Sequence, residues 1–290
     1  MPRVRQKFGA HLSVAGGLHR AVAEARRLGC DCLQIFVKNQ RQWNAPPLGD
    51  DAVRAFQAAR RGSGVNPIVA HASYLLNLAS PRPAARKRSI AALIDELQRC
   101  EGLAVSPLIV HPGSHLGAGE EAGVRLIAAS LDHVHAATTG FKSRIALETT
   151  AGQGTTIGHD PRQMGAIIER TRDPHRVAVC LDTCHLFAAG YDWRKPGPYE
   201  ALLESLAAHV GLKRIACIHA NDSVGACGSR LDRHAPIGKG RIGRRGFARL
   251  LNDARLAAVP RILETPKGVD GRGQDLDVVN MRRLRKLVLD

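Results

Sequence analysis

Six short apolar runs in this chain are each followed by a residue able to bind a metal ion. They are Ile68-Val69-Ala70 before His71, Leu108-Ile109-Val110 before His111, and Ile145-Ala146-Leu147 before Glu148. The others are Val179-Cys180-Leu181 before Asp182, Ala216-Cys217-Ile218 before His219, and Ile262-Leu263 before Glu264. Runs this short, rich in Val, Ile and Leu and separated by helical stretches, read as strands of a buried parallel sheet. A ligand at the same end of each strand brings all six side chains to one place. Two strand ends carry further candidates. Asp182-Thr183-Cys184-His185 adds His185 where the chain turns off its strand, and the loop Gly228–His234 adds Asp232 and His234, two residues apart and on the same side of an extended segment. The total is five histidines and four carboxylates. A tetrahedral zinc takes about four ligands, so nine suit two or three ions with a shared carboxylate. Imidazole and carboxylate donors with no required thiolate favour Zn, and also accommodate Mn or Fe. Clustered divalent ions are suited to hydrolysing phosphate esters, because they activate water and neutralise a leaving oxygen.

The elements that must position these residues follow from periodicity. Strands are expected at Lys7–His11, Cys32–Lys38, Pro67–His71, Leu108–His111, Arg144–Glu148, Ala178–Asp182, Ile215–His219 and Arg261–Glu264. Amphipathic helices are expected at Leu18–Leu28, Ala84–Cys100, Gly123–Ala137, Pro161–Arg170, Tyr199–Val210 and Gly246–Ala254. Strand–helix alternation of this kind predicts a (β/α)8 TIM barrel, with the metal site at the C-terminal strand ends where barrel enzymes carry their chemistry. An open doubly wound sheet is the alternative. No linker divides the 290 residues, so one barrel domain over residues 1–290 is expected.

The formal net charge of +16 points to a polyanionic partner such as nucleic acid. No apolar run is long enough to span a bilayer, so no membrane association is expected. The first residues, Met1–Val14, lack the apolar core of a signal peptide, and the seven cysteines form no CxxC pair. Both suggest a cytoplasmic location. Cys184 and Cys217, beside the ligand candidates, are read as small packing residues, and His11 as a further residue lining the cleft.

Longer stretches carry a resemblance. Lys38-Asn39-Gln40-Arg41-Gln42-Trp43, Ser73–Leu78, His111-Pro112-Gly113-Ser114-His115, Thr150-Ala151-Gly152-Gln153-Gly154, Leu181–His185, Gly228–His234 and Leu263-Glu264-Thr265-Pro266 are similar to endonuclease IV, the zinc-dependent apurinic/apyrimidinic endonuclease family of base-excision repair. The resemblance spans Gly9 to about Pro266. It implies three zinc ions per chain, Mn or Fe being admissible in one site, with His71, His111 and Glu148 on the first. Glu148 would bridge to a second held by Asp182, His219 and Glu264, and His185, Asp232 and His234 would hold the third. It further implies cleavage of damaged duplex DNA 5′ to an abasic sugar, leaving a 3′-hydroxyl and a 5′-deoxyribose phosphate, and removal of 3′-blocking groups. Glu148 and Glu264 would be catalytic, with Glu264 orienting the water. Arg41, Tyr74 and Leu75 would enter the minor groove, Arg230 and Arg233 would face phosphates, and the protein would act as a monomer. Two positions depart from the family pattern: Ala72 where Asp or Asn is expected, and Thr149 where Asn is expected. Both lie beside ligands, so ligand orientation is the property in question.

Two rival readings stay open. A sugar isomerase or epimerase on a related barrel would need one ion and fewer ligands. A non-catalytic nucleic-acid binder would use the basic charge alone, binding undamaged duplex in a strongly salt-dependent way.

Overall fold

The computed structural model describes residues 5–289, so residues 1–4 of the N-terminal stretch read above lie outside the described residues. Eight parallel strands close into a barrel. In chain order they are β1 (Phe8–His11), β2 (Cys32–Phe36), β3 (Ile68–His71), β4 (Leu108–Val110), β5 (Ile145–Glu148), β6 (Val177–Asp182), β7 (Ile215–His219) and, after a small hairpin of β8 (Asp222–Ser223) and β9 (His234–Ala235), β10 (Arg261–Leu263). Pairing runs β1-β10-β7-β6-β5-β4-β3-β2 and returns to β1 through the Gly9↔Cys32 register. Closure removes the open-sheet alternative. A Cβ on Gly9 would strike the Cys32 carbonyl, so this seam requires glycine.

Side-chain alternation along the strands explains why the ligand candidates converge. Cys32, Val69, Ile109, Ala146, Cys180, Cys217 and Ile262 belong to a fully buried cluster separate from the strand–helix core. The residue two positions on shares their face, because strand side chains repeat every second residue. Those residues are Gln34, His71, His111, Glu148, Asp182, His219 and Glu264. The apolar cluster is thus the floor on which the polar layer rests. The intervening residues, such as Ile68, Leu108, Val110, Ile145, Leu147 and Val179, face the helices and join the larger core.

The helices around the barrel are α1 (Leu18–Arg27), α2 (Asp50–Arg60), α3 (Pro83–Leu103), α4 (Glu120–Ala137), α5 (Pro161–Arg170), α6 (Thr183–Ala189), α7 (Pro196–His209), α8 (Gly243–Leu251) and α9 (Leu276–Arg285). Two were not anticipated, α2 and α6, whereas the basic C-terminal segment ending Arg282–Lys286 reads as a final helix and forms α9. Helix α2 buries only Phe56 among its residues, so its apolar face is too narrow to show as a periodic signal. The remaining helices start up to three residues earlier than expected, α3 and α7 beginning with proline at the first turn, a position that tolerates a missing N–H. No helix among the described residues is long and apolar enough to cross a membrane.

Downstream of β8 the chain is organised by one buried carboxylate. Asp222 accepts hydrogen bonds from the backbone N–H groups of Ser223, Gly238, Gly240, Ile242 and Gly243, at 2.9–3.3 Å. It pins the segment that follows β9 against the barrel rim, and with it the hairpin bearing Asp232 and His234. Asp222→Asn turns part of that acceptor into a donor facing donors. The variant is expected to lose about 2–4 kcal/mol of stability, read as a lowered thermal midpoint; an unchanged midpoint would contradict this role.

Candidate metal centre

All nine side chains singled out from the sequence meet at the C-terminal end of the barrel. Glu148, fully buried, sits at their centre. Its Oε2 faces His71 Nε2 at 3.0 Å and His111 Nε2 at 2.9 Å, and its Oε1 faces His219 Nδ1 at 2.8 Å and His185 Nδ1 at 3.5 Å. His219 Nδ1 also lies 3.2 Å from Glu264 Oε2 and 3.9 Å from Asp182 Oδ2. Beyond Asp182 a further group forms: His185 Nε2 is 3.0 Å from Asp232 Oδ1, and His234 Nε2 is 3.5 Å from Asp232 Oδ1 and 3.6 Å from Asp182 Oδ2.

The geometry separates into sets whose ligand atoms lie within 4.8 Å of one another: His71, His111 and Glu148; then Glu148, Asp182, His219 and Glu264; then Asp182, His185 and His234, with Asp232 and Cys184 also against His234. Glu148 belongs to two sets. Asp182 does as well, which the sequence did not reveal. Asp182 is the N-cap of α6, accepting from His185 N at 2.8 Å, so β6 passes directly into a helix whose first turn presents His185 back to the centre. His185 therefore stands in the first turn of a helix, at the point where the chain turns off its strand. His111 and Glu264 lie one residue beyond their strands. Cys184 and Cys217 are fully buried and both approach histidines of the centre; burial raises the Cys184 thiol to about 12, and it donates to the Arg233 carbonyl at 3.6 Å.

The donors fit a group of divalent ions. His71 Nδ1 donates to the carbonyl of its neighbour Ala72 at 2.7 Å, His185 Nδ1 to the carbonyl of Thr149 at 2.7 Å, and His234 Nδ1 to the carbonyl of Glu264 at 3.2 Å. His219 Nε2 donates to the Gln34 amide oxygen at 2.7 Å. With the outer nitrogen protonated, the inner nitrogen of each ring presents a lone pair toward a carboxylate. Lone pairs facing carboxylate oxygens repel unless a cation lies among them. Zinc bonds of about 2.0–2.1 Å in a tetrahedron separate ligand atoms by about 3.4 Å, within the 2.8–3.9 Å spread seen here. His234 Nε2 is buried with no hydrogen-bond partner, as an unprotonated ligand nitrogen would be.

Ionisation leans the same way. Burial alone would raise Glu148, but the imidazoles of His219 and His111 hold it well below the usual carboxylate range; Glu264 is held down similarly, chiefly by His219. Burial would lower His219 and His185, yet Glu264 and Glu148 raise the first, and Asp182 and Asp232 the second, well above the ordinary histidine value. Both directions call for positive charge inside the cluster.

The two departures from the family pattern have local answers. The backbone carbonyl of Ala72 orients His71 without help from a side chain. Thr149 Oγ1 accepts from Asp182 N at 2.9 Å while its carbonyl holds His185. Two orienting residues were missed from sequence. Asn221 Nδ2 donates to Asp182 Oδ2 at 2.7 Å and its Oδ1 accepts from Glu264 N at 2.7 Å. Gln34 contacts Glu264 and His219. The inward-facing position of Gln34, two residues after Cys32, was the available signal.

A cleft of about 770 Å³ opens beside the centre, lined by His11, Phe36, Arg41, Tyr74, His234 and Glu264 among others. A smaller one of about 260 Å³ includes Tyr74, Leu75, His111, His185 and Asp232 in its lining. Tyr74 stands between the two, 60 % exposed, its ring edge-on to Phe36 at 5.7 Å and 5.5 Å from that of His71. Its loop is tied to the one carrying Arg41 through Ser73 Oγ, which donates to the Gln40 carbonyl at 2.6 Å. Lys38, buried, braces the base of the Arg41 loop by pairing with Asp95 at 2.9 Å. Arg230 and Arg233 are exposed on either side of Asp232 and line neither cleft. His11 lines the larger cleft and contacts Glu264 Oε1 at 3.1 Å.

Comparison with known proteins gives the family and confirms the fold. The model of the xylose isomerase-like TIM barrel family matches residues 22–284. The chain is 46 % identical to a protein named probable endonuclease 4 from Chloroflexus aggregans, over 99 % of this chain and 98 % of that one. It is 44 % identical to a protein of the same name from Geobacter sulfurreducens, over 97 % and 94 %. Among solved structures it resembles endonuclease IV from Thermus thermophilus, with a TM-score of 0.84, 37 % identity, and coverage of 97 % and 98 %. A D-tagatose 3-epimerase-like protein, 19 % identical with a TM-score of 0.73, shares the fold.

Proposed function

The chain belongs to the endonuclease IV family, and from that premise we propose that it is a base-excision-repair endonuclease, hydrolysing the phosphodiester 5′ to an abasic site in duplex DNA to leave a 3′-hydroxyl and a 5′-deoxyribose phosphate, and also removing 3′-blocking groups. The observation that carries the reading is the orientation of four histidines, each donating its outer N–H to a carbonyl oxygen and turning a lone pair toward shared carboxylates. His71, His111 and Glu148 would hold one zinc; Glu148, Asp182, His219 and Glu264 a second; His185, Asp232 and His234 a third, with Mn or Fe compatible in one of them. When bound, such ions lower the pKa of water to near neutrality and offset charge on the departing 3′-oxygen.

The remaining work falls to the chain's own residues. Glu264, anchored through Gln34 and through Asn221, orients the attacking water by accepting its hydrogen bond. Tyr74 and Leu75, exposed and adjacent, wedge into the minor groove and offset stacking lost when the damaged nucleotide turns outward. Arg41 enters from the neighbouring loop, and Arg230 and Arg233 meet phosphates. A sugar without a base fits the cleft where an intact nucleotide does not. The protein acts as a single-domain monomer in the cytoplasm.

Two measurements test this reading. Metal content of the purified protein is expected at about three ions per chain; about one would favour a sugar isomerase, for which the Asp232/His234 group has no use. Tyr74→Ala is expected to reduce discrimination between abasic and intact duplex by about tenfold or more, with metal content unchanged. Equal discrimination by variant and parent would remove the wedge role.

A further inference from the structure

We infer that Gln34 is a positioning residue that fixes the ligating nitrogen of His219 and the carboxylate of Glu264 through a single amide. The inference rests on the metal reading of those two residues. Gln34 is fully buried on β2, and its side chain lies in the same inward layer as the ligand candidates. Its Oε1 is 2.7 Å from His219 Nε2, and its Nε2 is 2.6 Å from Glu264 Oε1 and 2.9 Å from His11 Nδ1.

An amide has one acceptor end and one donor end, and the surroundings allow only one orientation. His219 turns Nδ1 toward Glu148 and Glu264, so Nε2 carries the proton and needs an acceptor, which is the Gln34 oxygen. The two N–H groups of Gln34 are then directed at Glu264 Oε1 and His11 Nδ1. One hydrogen goes to the carboxylate, neutralising part of its burial cost without adding charge. The other faces the His11 ring at Nδ1, which itself lies 3.1 Å from the same Glu264 oxygen. One neutral side chain therefore places the proton of His219 and anchors the carboxylate of Glu264. An aliphatic residue here would leave a buried imidazole N–H and a carboxylate oxygen unsatisfied. A carboxylate would satisfy His219 and repel Glu264.

The experiment uses zinc-loaded protein and two variants, Gln34→Met and Gln34→Glu. Zinc release to a chromophoric chelator is followed over time, and two-bond ¹H–¹⁵N correlation spectra report which His219 nitrogen carries the proton. Circular dichroism and thermal melts report folding. In Gln34→Met the fastest zinc release is expected to quicken about 10- to 100-fold, and the His219 Nε2–H resonance to broaden or vanish through solvent exchange. Gln34→Glu is expected to keep that resonance while kcat falls at least tenfold with KM little changed, because the second carboxylate oxygen opposes Glu264. Release kinetics and His219 signal identical to the parent in folded Gln34→Met would overturn the inference. Should Gln34→Met not fold, an unchanged kcat or a lost resonance in Gln34→Glu would overturn it. Parent protein that binds no zinc would instead overturn the metal reading on which it rests.

Discussion

Glu264→Gln is expected to leave the fold and the binding of damaged duplex within a few-fold of the parent while turnover falls by on the order of 10³. The substitution keeps the volume and the backbone contact to Asn221 but removes the negative charge that lies 3.2 Å from His219 Nδ1. It also sets an amide against the Gln34 amide, where the parent has a carboxylate oxygen accepting at 2.6 Å. A water held by Glu264 in the parent then loses its acceptor. Binding depends on the exposed loops around Tyr74 and Arg41, which this change does not touch. Single-turnover cleavage alongside a mobility-shift titration separates the two effects. Undiminished cleavage would remove Glu264 from the mechanism.

Glu148→Gln is expected to have the larger effect on metal. Both oxygens of Glu148 are shared among imidazoles, two near Oε2 and two near Oε1, and the residue belongs to two ligand sets at once. An amide offers one weaker oxygen and turns its N–H groups toward lone pairs. Ion content should fall from about three per chain to about one, the survivor being held by His185, Asp232 and His234, and cleavage should fall to background. Elemental analysis after dialysis reads this directly. A variant that retains the parent's full metal content would show that Glu148 is not the shared ligand.

The barrel and the convergence of the nine side chains were legible because both depend on strand periodicity, which is written in short apolar runs. Val69 and His71, or Ala146 and Glu148, differ by two positions and so share a face whatever the surrounding loops do. Residues that work through hydrogen bonds were less visible. Asn221 acts from beyond β7, where no period constrains it, and Asp182 doubles as helix cap and shared ligand only because β6 runs straight into α6. Gln34 did fall on the inward face, but a lone glutamine between Leu33 and Ile35 has no metal-ligand chemistry to draw notice. The weak apolar face of α2 concealed that helix, and the capping of α9 by Asp275 went unread because the basic residues of its last turns dominate the segment.

The most direct test of the central claim is cleavage of an end-labelled duplex bearing one tetrahydrofuran abasic analogue, beside an undamaged control and without added magnesium. The analogue cannot undergo β-elimination, so strand scission requires hydrolysis. A metal-assisted hydrolase of this kind gives a single cut 5′ to the analogue, a 3′-hydroxyl that a polymerase extends, and an intact control. A metal-loaded protein that leaves the analogue strand whole, or cuts both duplexes alike, would contradict that claim.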